Sequence, residues 1–122
     1  MTSISPWLSV ADTAAALAFY TEAFGARVAE QVVGNGVVEV ANLVVDDGPD
    51  FWVQRDESAD VELVAEAPVR MILAVDDPDA VFARAVMAGA EVVWPVGNGH
   101  GWRLGRLIDP CGHHWEIGRR LD

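Results

Sequence analysis

The tetrad His113-His114-Trp115-Glu116 follows Asp109-Pro110-Cys111-Gly112 and brings two imidazoles and a carboxylate into four consecutive positions. Imidazole nitrogen and carboxylate oxygen are common ligands of a divalent metal, and a carboxylate between apolar walls can also act as a general base. The Pro/Gly turn separates two strand-like runs, so the tetrad opens a strand. Alternation divides it: His114 and Glu116 share one face, while His113, Trp115 and Ile117 share the other. Whether the first face makes a site depends on what the rest of the chain brings to it.

A chain of 122 residues, 52% hydrophobic, is long enough for one domain with a single core. No run approaches the ~18 apolar residues of a membrane span, and the opening Met1-Thr2-Ser3-Ile4-Ser5-Pro6 lacks the pattern of a signal peptide, which predicts a cytoplasmic protein. Cys111 is the single cysteine, so an intrachain disulfide and a multi-cysteine zinc site are excluded. It reads as an inert turn residue, because a reactive thiol requires a lowered pKa. Nineteen acids against 8 bases give a formal charge of −11, which repels phosphate backbones and argues against a nucleic-acid partner. The same charge keeps an apolar small protein soluble and would favour a cationic small ligand.

The elements that must position the tetrad can be read in order. Ile4 to Ala11 suits a strand; Asp12 caps a helix carrying Leu17, Tyr20 and Phe24 at helical spacing, with Gly25 at the left-handed C-terminal cap. Arg27–Val33 and Val37–Val45 flank Gly34-Asn35-Gly36, a strong hairpin signal, and Asp46–Asp50 turns into a fourth strand, Phe51–Gln54. The acidic stretch from Arg55 to Ala67 links this half to a second one. There Val69–Val75 is a strand, Asp77-Pro78 starts a helix whose stripe is Val81, Phe82, Ala85 and Val86, and Gly89 ends it. Glu91–Val96, Trp102–Asp109 and His113–Gly118 supply three more strands, with Gly97–Gly101 as the turn between the first two.

The order repeats. Val10, Asp12, Ala15 and Ala18 match Val75, Asp77, Ala80 and Ala83 at an offset of about 65, and Gly25-Ala26 matches Gly89-Ala90 at about 64. This predicts an α+β fold of two βαβββ repeats, about 3–55 and about 68–119, each a curved mixed sheet with a helix on its convex side, around a concave cavity. Phe19-Tyr20-Thr21-Glu22-Ala23-Phe24-Gly25-Ala26 resembles the first-helix signature of the vicinal oxygen chelate superfamily, which includes glyoxalase I, bleomycin resistance proteins and extradiol dioxygenases. Gly105-Arg106-Leu107-Ile108-Asp109-Pro110-Cys111-Gly112-His113-His114-Trp115-Glu116 resembles its C-terminal signature. The wording is most similar to the glyoxalase-like group that includes bacterial PhnB-type proteins, and the resemblance covers essentially the whole chain. It implies the fold; the superfamily hosts lyases, dioxygenases, epimerases, thiol transferases and drug-binding proteins without enzymatic activity, so it leaves the chemistry open. Family members commonly pair as dimers, which predicts a homodimer with cavities within one chain or between two.

The resemblance also implies where metal ligands would stand: on the first and last strands of each repeat. Carried onto this chain, those positions are Ser5, Trp52, Arg70 and Glu116, of which only Glu116 is a competent ligand. A catalytic metal needs about three protein ligands and an open position. The expectation is therefore a metal-free small-molecule binding protein, holding an aromatic or cationic compound such as an antibiotic. The alternative is a metal-dependent glyoxalase-like lyase or dioxygenase using Glu116 with His114, and His100 from the glycine-rich turn. Alternation places Trp7 and Ser9 beside Ser5, Gln54 beside Trp52, Ile72 and Ala74 beside Arg70, and His114 beside Glu116; of Trp102 and Arg103, one faces the cavity. Five tryptophans in the chain, with Trp7, Trp52 and Trp102 near strand ends, suit stacking on a planar ligand. Glu116 and Arg70 either form a salt bridge or stand apart, Glu116 as a general base and Arg70 as an anion holder.

Overall fold

The computed structural model describes residues 2–66 and 69–122. Alternating β-branched runs and capped helices produce the order β1 (Trp7–Val10), α1 (Thr13–Phe24), β2 (Arg27–Gly34), β3 (Val37–Val44), β4 (Asp50–Arg55), α2 (Val61–Ala65), β5 (Arg70–Ala74), α3 (Pro78–Met87), β6 (Glu91–Gly99), β7 (Trp102–Ile108) and β8 (His114–Arg120). Strands form two four-stranded sheets, β1-β4-β3-β2 and β5-β8-β7-β6, each with one parallel and two antiparallel pairings. This is the duplicated βαβββ architecture that the repeat predicts. No helix among the described residues is long and apolar enough to cross a membrane.

The local signals act as their chemistry requires. The Asp12 carboxylate accepts from the Ala15 amide and that of Asp77 from the Ala80 amide, each filling a donor left open at a helix start. Gly25 ends α1 at φ 69°, a conformation a side chain resists. Both hairpins turn on two residues of positive φ, Asn35-Gly36 at 52° and 76° and His100-Gly101 at 51° and 80°. The second turn corrects the expectation of a Gly97–Gly101 loop: β6 runs through Gly99, and His100 supplies the left-handed residue, a role histidine tolerates better than most side chains. The link is also partly ordered, since Asp60 caps α2 through the Glu62 and Leu63 amides; Ala67, its last residue, lies outside the described residues. β1 is shorter than the sequence suggests, leaving Ser5 just before it, and Val86 is exposed although it falls on the helical stripe.

One core serves both repeats. Leu8, Val10, Phe51, Val53, Leu43 and Ala41 from the first sheet, Leu107, Trp115 and Ile117 from the second, and the inner faces of α1 and α3 are buried together. Phe19, Tyr20, Phe24, Phe51 and Trp115 form a ring cluster with centroids 4.9–5.9 Å apart. At its centre the buried Asp109 accepts four hydrogen bonds: from Tyr20 Oη at 2.5 Å, Trp115 Nε1 at 2.9 Å, and the amides of Cys111 and His113. The carboxylate thereby ties α1 of one repeat to the turn of the other. Each sheet puts one face into this core and leaves the opposite face open at Trp7, Ile72 and Trp94, while Asn42, His114 and Glu116 on those faces are buried.

Candidate functional site

Cross-strand partners share a face, so the ladder registers give the rows of side chains on each open face. On the first sheet one row reads Trp7, Trp52, Asn42 and Glu30. On the second the corresponding row reads Ile72, Glu116, Arg106 and Trp94. The two rows are related by the offsets of about 65 and 64 seen in the sequence. The repeat alignment therefore holds at the level of hydrogen-bonded register.

The first open face is aromatic and amide-rich. The rings of Trp7 and Trp52 stack with centroids 5.5 Å apart and planes 18° from parallel, because parallel pairing of β1 with β4 sets their Cα atoms side by side. Trp7 Nε1 donates to Gln54 Oε1 at 2.8 Å, while 53% of Trp7 stays exposed. Ser5 Oγ donates to Asp50 Oδ1, and Asn42 Nδ2 donates to Asp50 Oδ2 at 3.0 Å. The Ser5 hydroxyl, and after it the Asn42 amide, hold the Asp50 carboxyl below the usual carboxylate range. Beside Trp52 is a hollow of about 220 Å³ lined by Glu30, Gln31, Val32 and Val40. A larger one, about 440 Å³, lies away from both rows between the start of α1 and the β2–β3 hairpin. Its one cation, Arg55, is already paired with Glu57 and Glu39, and Asp12 already caps the helix there.

The second open face is polar and cationic. Arg70 Nε reaches Glu116 Oε2 at 3.0 Å, which selects the salt bridge from the two arrangements the sequence leaves open. His114 Nε2 lies 2.7 Å from the Ala65 carbonyl, an acceptor only, so this nitrogen carries the proton. Nδ1 is then the lone pair, and it accepts from Arg106 Nε at 3.1 Å and Nη2 at 2.9 Å. Both nitrogens of a neutral His114 are committed. The Arg106 guanidinium also lies over the Trp94 ring, 5.3 Å from its centroid. Trp102 shares this face, under the guanidinium of Arg120 at 5.6 Å, whereas Arg103 turns to the helix side and grips Asp79 of α3 through two bonds of 2.8 and 2.7 Å.

These placements decide whether a metal fits. Of the four positions the superfamily uses, Ser5 is bonded to Asp50, Trp52 is in a ring stack, Arg70 is a cation, and Glu116 is held by Arg70. His113 sits on the core side with Nε2 2.9 Å from the Ser9 carbonyl, and His100 is at an exposed hairpin tip. Among the described residues no group of three or more His, Cys, Asp or Glu side chains is arranged to hold a metal ion. The donor set does not fit a catalytic divalent metal, and the combination of Glu116, His114 and His100 is not assembled. The Cys111 thiol is buried and pushed up to about 12, first by burial and then by the Asp109 charge, which makes it inert at neutral pH.

A glyoxalase-like domain model matches residues 7–118. The chain belongs to the glyoxalase-like domain family. An uncharacterized protein of Mycobacterium bovis is 35% identical over 130 residues, spanning 96% of this chain and 82% of that one. The structure of TioX from Micromonospora sp. ML1 superposes with a TM-score of 0.78 at 27% identity, covering 99% and 100% of the two chains. A bleomycin-binding protein complexed with bleomycin superposes with a TM-score of 0.72 at 17% identity over 98% and 99%. These glyoxalase-like relatives place the fold in the vicinal oxygen chelate superfamily.

Sequence reading found Trp7, Trp52, Gln54, Arg70, Trp102, His114 and Glu116 on the open faces but missed Asn42, Asp50, Glu30, Arg106 and Trp94. It followed only the first and last strands of each repeat. The signal was present, since Arg106 falls opposite Glu116 across the 109–113 turn and 64 positions after Asn42.

Proposed function

We propose that this glyoxalase-like domain is a metal-independent binding protein for a planar small molecule, an antibiotic among the candidates, working as a homodimer in the cytoplasm. The observation that carries this reading is the Trp7–Trp52 stack, in which Trp52 stands at one of the positions from which the superfamily's enzymes would bind metal. A stacked indole pair offers a flat apolar surface, and Gln54, Asn42 and Asp50 border it with hydrogen-bonding groups. With Glu30 and Asp50 nearby and a chain charge of −11, this first face suits a cationic planar compound. The bleomycin complex of a structural relative is consistent with that use of the fold. Dimerisation is supported by exposed apolar side chains away from both rows, Leu63 at 68% and Met87 at 89% among them, surface that a second copy would cover.

Tryptophan fluorescence titrated with bleomycin and with planar intercalating cations tests the reading. Quenching at micromolar ligand that is lost in Trp52→Ala supports it, and no change with any compound sinks it. Metal analysis of protein purified without chelator tests the competing lyase or dioxygenase reading. Stoichiometric metal that disappears in Glu116→Ala would establish that alternative. Light scattering should give twice the 13.1 kDa chain mass, and a monomer would refute the dimer.

A further inference from the structure

We infer that the second open face is a separate site for an aromatic carboxylate, with Arg106 as the group that receives the anion. Arg106 is half-buried, yet among the described residues no carboxylate lies within salt-bridge distance of it, in a chain with 19 acidic side chains. Arg55, Arg70 and Arg103 pair with carboxylates and the exposed Arg27, Arg84, Arg119 and Arg120 do not, which leaves Arg106 as the half-buried arginine without one among the described residues. Arg106 is instead held by uncharged groups: the His114 lone pair along its Nε–Nη2 edge and the Trp94 ring against its face. The Ala65 carbonyl fixes the His114 tautomer, so the imidazole orients the guanidinium without neutralising it. Nη1 and the second Nη2 hydrogen have no protein acceptor among the described residues.

The result is a guanidinium fixed in orientation with donors to spare, the condition under which a planar carboxylate is bound by two parallel hydrogen bonds. Glu116 does not cancel it, because Arg70 takes Oε2 of that carboxylate. Arg70, Arg106 and Glu116 together leave one net positive charge beside a neutral His114. Ile72 and Trp94, at the two ends of the row and each more than half exposed, give an aromatic body apolar surface to rest on. This inference does not depend on what the first face binds.

Calorimetric titration of the wild-type protein with 1-naphthoate, the isosteric 1-naphthamide and 1-naphthylmethylammonium tests it. The naphthoate should bind at least about tenfold more tightly than the amide, with the ammonium weakest, as expected for a charge-assisted pair. Arg106→Gln should remove the preference for the carboxylate, and Arg106→Lys should keep part of it, while binding of a planar cation at the first face is unchanged in both. Equal binding of all three probes, preference for the ammonium, or no naphthoate binding would overturn the inference and leave the first-face reading standing on its own titration. Loss of cation and anion binding together in Arg106→Gln would overturn it by showing one shared site. Conversion of a wild-type dimer to a monomer by Arg106→Gln would also overturn it, by making a second copy the occupant of this face.

Discussion

The two sheets share topology, hairpin geometry and helix caps, yet their open faces carry opposite chemistry. Matched positions read Trp7, Trp52, Asn42 and Glu30 on one and Ile72, Glu116, Arg106 and Trp94 on the other. On the helix side the constraint is common to both, because each repeat must fill one close-packed core. On the open side nothing in the fold dictates residue type. An aromatic stack bordered by acids therefore faces one way and a cationic row faces the other. Backbone duplication preserves where side chains stand, and the freed faces diverge in what they can bind.

That contrast assumes a single shared core, and the strongest way to break it is at Asp109. Asp109→Ala strands the Tyr20 hydroxyl, the Trp115 indole and two amides, and should cost about 3 kcal/mol or more, with Asp109→Asn costing less. Urea unfolding should stay one transition in both variants. Two separated transitions would mean that each repeat has a core of its own. Alkaline pH probes the same seam. Burial first, then Asp109, raises Cys111 from 9.0 to about 12, and the same two causes in the same order raise Tyr20 well above 10.0. Both groups stay protonated longer in the folded protein, so their contribution is complete below pH 9 and is lost as pH rises. Stability should fall by about 1.4 kcal/mol per pH unit above 9, and more steeply above 10, where Tyr20 joins. Cys111→Ala should flatten the fall between pH 9 and 10. Trp52→Ala and Glu116→Gln, on the open faces, should leave the profile unchanged.

Much of this division was legible in the sequence. Asp12 and Asp77 mark helix starts, Asn35-Gly36 marks a hairpin, and the offset of about 65 positions aligns Trp7 with Ile72 in the register the ladders adopt. What the sequence hid follows from chemistry that spacing does not carry. His100 turns a hairpin that glycine appeared to own, so β6 runs longer than its composition suggests. Arg103 and Arg106 are three apart on one strand and so point to opposite faces, but only the Asp79 and His114 contacts tell which is committed. The tetrad looked like a metal cluster because type and proximity were visible, whereas the Ala65 carbonyl that occupies His114 comes from a distant helix.

The finest test separates the two open faces by how their contacts respond to salt. Trp52→Ala removes a ring stack and the apolar burial of a half-buried indole and should cost about 2 kcal/mol. That loss involves no charge, so it should be the same at low salt and in 1 M NaCl. Glu116→Gln removes the charge opposite Arg70; the Glu116 side chain is 8% exposed and that of Arg70 44%, so water screens the pair from one side only and the cost should be about 1 kcal/mol at low salt. With the Debye length cut to about 3 Å in 1 M salt, this loss should shrink through the exposed Arg70 side of the pair. Unfolding curves for both variants at the two salt concentrations decide the matter. If the two losses responded to salt alike, the faces would not differ in the physical way their residues imply, and the division into an aromatic site and an anion site would lose its basis.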